Sequence, residues 1–108
     1  MSTIDAWCRQ NRIERVSFIK VDVEGFEPSV IEGAGDTIDR DRPSLLLEIE
    51  DRHLARYGRT ADGFLAEIHE RWPDYRMYTW VDGAWSATRA IVPEVRNYLF
   101  ATDAAFAR

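Results

Sequence analysis

Cysteine is nearly absent from these 108 residues: Cys8 stands alone, so no disulfide can close within the chain and no cysteine cluster can hold a metal. A lone cysteine at a helical position is ordinarily a small core residue. Lysine is as scarce, with Lys20 set against 13 arginines. No cluster of basic side chains occurs, and the formal charge is −5, so the electrostatic footprint of a nucleic-acid or anionic-membrane partner is missing. No apolar run is long enough to cross a bilayer. The opening MSTIDAWCRQ lacks the charged head and apolar stretch of a signal peptide, and a cytoplasmic location is the expectation. Linkers rich in Pro, Gly or Ser, internal repeats and low-complexity segments are missing too. What is present, 45% hydrophobic and 31% charged residues, suits one ordered domain able to bury a core.

Thr3 as N-cap, followed by Ile4, Trp7 and Cys8 at helical spacing with Asn11 as a stop, predicts a helix over about 4–11. VSFIKVDV, rich in β-branched residues and apolar on both faces, predicts a strand ending near Val23 and covered on both sides. Glu24-Gly25 makes a turn, and Pro28 suits the first turn of a helix that carries Val30, Ile31, Ala34 and Ile38 and is broken at Gly33 or Gly35. A second strand follows in SLLLEIE, then a polar, arginine-rich turn and a helix over roughly 60–71 with Phe64, Leu65, Ile68 and Trp72 as its buried stripe. YRMYTWVDGAWSA alternates around Asp82-Gly83, a strong hairpin signal, and NYLFAT makes a last strand. The order α, β, α, β, α, β, β is half of a doubly wound α/β sheet. Its first two strands are joined by a right-handed parallel crossover, and its last two form an antiparallel pair.

Open sheets of this kind bind ligands outside the carboxyl ends of their strands. Asp22 and Glu24 close the first strand, and Glu48 and Glu50 close the second, which a crossover places beside it. Four carboxylates on one rim raise one another's pKa, so either a cation sits among them or one holds a proton near neutrality. Such a carboxyl is a serviceable general base toward a hydroxyl or amine, and His53, just beyond the second acidic end, is another. Plainer readings stand beside these. Glu27 fits the start of a helix, where the macrodipole favours an acid. Lys20 could be a strand residue reaching back to a neighbouring acid, and His53 a solvated loop residue. The glycines of EGAGD lie inside a helix about ten residues beyond the strand, not in the turn directly after it that a dinucleotide fingerprint requires.

SFIKVDVEGFEPSVIEGA, followed by RPSLLLEIE, resembles the C-terminal part of the FkbM family of S-adenosylmethionine-dependent methyltransferases. Lys20, Asp22, Glu24, Gly25 and Glu27 match the family's K-x-D-x-E-G-x-E signature, and Gly33-Ala34 its helix-breaking pair. The resemblance runs from TIDAWCRQNRIERV to NYLFAT. It implies a partial Rossmann-like (class I methyltransferase) sheet in which 1–108 supply strands four to seven and flanking helices. The glycine-rich first loop and the ribose-binding acid would then lie outside these residues.

By the resemblance the activity is methyl transfer from S-adenosylmethionine to a hydroxyl of a sugar or natural-product acceptor, the chain alone being inactive. Asp22 and Glu24 would be catalytic, with Asp22 also touching the cofactor. Lys20, Glu48, Glu50 and His53 would face a small-molecule acceptor, with no resident metal. Two other readings are a metal-dependent, glycosyltransferase-like site built on Asp22-x-Glu24, and a non-catalytic interaction module. The apolar first strand, left unpaired on one side, implies a homodimer or other self-association through the sheet edge.

Overall fold

The computed structural model describes residues 3–106. Helix α1 (Ile4–Gln10) starts at Thr3, whose hydroxyl accepts from the Ala6 N–H, and buries Cys8. Strand β1 (Phe18–Val21) leads through a turn into two short helices, α2 (Glu27–Glu32) and α3 (Gly35–Asp41), split at Gly33-Ala34 where the sequence placed a break. Asp5 of α1 caps α3, accepting from the backbone N–H groups of Asp36 and Thr37 and from the Thr37 hydroxyl. Strand β2 (Ser44–Glu48) is followed by a short helix α4 (Asp51–Leu54), one 3₁₀ turn (Ala55–Tyr57) and helix α5 (Ala61–Arg71). Thr60 caps α5 through the Gly63 N–H, and Asp51 accepts from Ala61 N at 2.7 Å. Strands β3 (Arg76–Val81) and β4 (Ala84–Thr88) form the hairpin about Asp82-Gly83, and β5 (Asn97–Ala101) and α6 (Asp103–Phe106) complete the described chain.

The five strands lie in the order β1-β2-β5-β3-β4. β1 and β2 are parallel, while β5 runs antiparallel to both β2 and β3. The last strand is therefore inserted between two earlier ones instead of extending the hairpin, and the terminal antiparallel pair expected from the sequence is a group of three. Tyr98 fixes this insertion, because its hydroxyl bonds Val92 and Val95 and ties the preceding loop to β5.

The register puts Ile19, Val21, Leu45, Leu47, Tyr98, Phe100 and Met77 on one face, all buried. Ile31 of α2, Ile38 of α3 and Phe64, Leu65 and Ile68 of α5 pack with them into one core. The other face is more open: Phe18 is 54% exposed, Lys20 is exposed, and Trp80 and Trp85 pack edge to face in the open. β1, read from the sequence as covered on both sides, is covered on one, since the helices on both sides of β2 in the chain return to the same face. β1 is also an edge strand and ends at Val21, two residues before the apolar pattern does. Among the described residues no helix is long and apolar enough to cross a membrane.

Candidate active site at the carboxyl ends of the parallel strands

The turn after β1 is built around an unusual backbone. Glu24 has φ 47° and Gly25 φ 100°, both in the left-handed region, which costs a residue with a side chain about 1 kcal/mol or more. Gly25 suits its place twice over, because a Cβ there would also collide with the carbonyl of His53. Glu27, 1% exposed, locks the turn: one carboxylate oxygen accepts from Val23 N at 2.9 Å and the other from Gly25 N at 2.8 Å. An acid that reads as a helix-start residue thus satisfies two backbone donors outside the helix, that of Gly25 buried and that of Val23 partly so.

With the turn fixed, the parallel register decides what meets. Lys20 lies opposite Leu46, so two residues further on Asp22 falls opposite Glu48. The two carboxyl groups are brought close enough that hydrogen bonding between them favours a proton on Glu48. That bonding, then partial burial and the charges of Asp22, Glu50 and Glu27 push the Glu48 carboxyl up to about 7. Like charges in one place have this effect.

Glu50, one residue before α4, faces His53 with Oε2 2.9 Å from Nε2. Both Glu50 Oε2 and His53 Nδ1 are buried without a hydrogen-bond partner, while His53 Nε2 has an Arg52 guanidinium nitrogen at 3.3 Å. His53 itself is 8% exposed, packed on α4 against the Gly25 turn rather than solvated in a loop. Arg96, brought in by the Ile49 N–H bond to its carbonyl, approaches Glu50 Oε1 at 3.3 Å. Arg52 lies 3.6 Å from Oε2, and both guanidinium groups are mostly in solvent.

The structure thus brings together Asp22, Glu48, Glu50 and His53. Glu24 is exposed in the turn and is not among the carboxylates acting on Glu48. Lys20 is exposed on the open face and makes no ion pair among the described residues. Sequence reasoning missed the Glu27 clamp and the two arginines. The acid two residues after a glycine hinted at the first, while Arg96 carries no local signal because the insertion of β5 delivers it. Chemically, the rim can accept a proton near neutrality and attract a positive charge.

The family model described as the methyltransferase FkbM domain matches residues 1–100. No curated protein and no solved structure shows significant similarity to the chain.

Proposed function

Because the chain belongs to the FkbM methyltransferase family, we propose that its carboxylate rim serves methyl transfer from S-adenosylmethionine to a hydroxyl of a sugar or natural-product acceptor. The Asp22–Glu48 carboxyl pair carries this reading, since a carboxyl titrating near 7 is matched to taking a hydroxyl's proton at neutral pH. S-adenosylmethionine would supply an electrophilic methyl group. Its methyl–sulfur bond would break to leave a neutral thioether, and the Asp22–Glu48 pair would take the proton that the acceptor hydroxyl gives up. The remaining contribution is an in-line approach, to which Lys20, Glu50 and His53 add polar contacts around the acceptor. Glu24 joins the proposed set from the turn, where left-handed backbone at a non-glycine residue often marks a functional position.

The rim fits the cofactor in charge: its acids suit a sulfonium, and Asp22 is the residue proposed to meet it. Within these residues no glycine-rich turn directly follows a strand, so the adenosine part finds no glycine-rich loop here. The reversed strand β5 between β2 and β3 supports reading the sheet as strands four to seven of a Rossmann-like fold, with β4 as an added outer strand.

Mutation in an active form of the protein tests the reading. Asp22→Asn and Glu48→Gln should each lower turnover at least about thirtyfold, about 2 kcal/mol on the barrier, with little loss of fold stability. Turnover within about threefold of the parent for both would remove the rim from the chemistry.

The open edge of β1 supports a second proposal, that two copies of this chain associate there. Its outer backbone groups lack a strand partner in the described sheet, and Phe18 is half exposed beside them. Phe18→Lys should weaken an association seen by light scattering at micromolar concentration. A folded monomer in the parent chain would refute it.

A further inference from the structure

Glu48, Glu50 and His53 each offer a ligand atom, and these atoms lie within 4.8 Å of one another. We propose that the three residues form a site for a divalent transition-series cation, taking manganese or zinc in preference to magnesium or calcium. The inference uses the geometry of the rim alone, so it can fail while the methyl-transfer reading stands.

Clustered acids would not suffice, and the stronger observation is the histidine. The His53 side chain is nine-tenths buried on a short helix, its Nδ1 has no hydrogen-bond partner, and its Nε2 faces Glu50 Oε2 at 2.9 Å with Arg52 beside it. Buried polar atoms are rarely left unpaired, yet Glu50 Oε2 and His53 Nδ1 both lack a hydrogen-bond partner, and the positive group nearest Nε2 and Oε2 is the mostly exposed Arg52 guanidinium. A cation bound to Glu50 and His53 from one side would give these groups a buried partner. Around an ion at about 2.1 Å, ligand atoms sit roughly 3 to 4 Å apart, so modest side-chain movement closes the present spacing onto one centre.

The donor set indicates the class of ion. Two carboxylates with one imidazole suit manganese or zinc, whereas calcium and magnesium favour oxygen throughout. Three protein ligands leave positions open for an acceptor's oxygen or for water. Arg52 is the competitor: its guanidinium lies 3.3 Å from His53 Nε2 and 3.6 Å from Glu50 Oε2. Its side chain is 68% exposed, so it can withdraw into solvent at small cost. Asp22 adds a further negative charge beside Glu48.

The chain has two histidines, and the second supplies an internal control. His69 is exposed on α5 and lines a cleft near the start of β3. Manganese added below equivalence to chelator-stripped, ¹⁵N-labelled protein should broaden the imidazole signals of His53 and spare those of His69. Glu50→Gln should weaken binding, read from the same titration, at least about tenfold, or 1.4 kcal/mol. If that variant fails to fold, Glu48→Gln carries the same requirement. Equal broadening of both histidines, none at either, an unchanged affinity in the folded variant, or magnesium binding as tightly as manganese would overturn the proposal.

Discussion

The two ends of this sheet treat charge in opposite ways. At the amino ends of β1 and β2, every acid that shifts does so beside a partner. Asp41 accepts from Val16 N and pairs with Arg40 at 2.7 Å, and Asp74 pairs with Arg42 at 2.9 Å. Asp39 accepts from the Trp72 indole N–H at 2.6 Å. Hydrogen bonds from these donors hold all three carboxyl groups below the usual carboxylate range. A broad cleft of about 940 Å³ lies toward this end, between the start of β3 and α6, but Arg76 and Asp103 on its wall are already paired at 2.9 Å. At the carboxyl ends the acids meet one another, Glu48 is pushed up to about 7, and polar atoms of Glu50 and His53 stay unsatisfied. Cavity size and chemical readiness therefore point to different ends. The unsatisfied end is the better candidate, because perturbed groups gather where a ligand completes them.

The comparison can be broken most severely at the turn that holds the acidic end in place. Gly25→Ala combines a left-handed backbone with a collision against the His53 carbonyl, and should cost about 3 kcal/mol or abolish folding, measured by urea denaturation. Glu27→Gln keeps the shape but loses a charged acceptor for one of two backbone donors, and should cost about 2 kcal/mol in the same assay.

A gentler probe is pH. Glu48 has a folded pKa of about 7 against an ordinary value of 4.5, so the fold favours its protonated form. Its contribution to stability is fully present below the unfolded value and is lost as pH rises through about 7. In chelator-treated protein, stability should fall between those limits, and Glu48→Gln should flatten the fall; thermal melts across the range read both. At the satisfied end the effect should be smallest. Asp74→Asn breaks a pair whose acid is 49% exposed and should cost less than about 1 kcal/mol. A larger loss there would erase the contrast between the ends.

Much of the framework was legible because it is local. Periodicity marked α1, β1, β2 and α5, glycine marked the break between α2 and α3, and Asp82-Gly83 marked the hairpin. The insertion of β5 between β2 and β3 was not legible, since pairing between strands far apart in sequence leaves no trace in either. The helix and 3₁₀ turn over 51–57 were hidden by the polar run DRHLARYGR, which has no apolar period to read. For the site, residues at strand ends were visible as a pattern, and the parallel register explains why Asp22 and Glu48 meet. The burial of His53 was not visible, because it follows from packing against a glycine 28 residues earlier in the chain.

The account turns on the raised Glu48 carboxyl beside Asp22, and a carbon-detected NMR titration of the carboxyl groups in chelator-treated protein reads it directly. Glu48 should titrate near 7 in the parent chain, and Asp22→Asn, which removes the neighbouring charge, should bring it down toward the ordinary carboxylate range. A Glu48 that titrates near 4.5 in the parent, or one that stays near 7 without Asp22, would contradict the claim that these two carboxyl groups form a coupled acidic site.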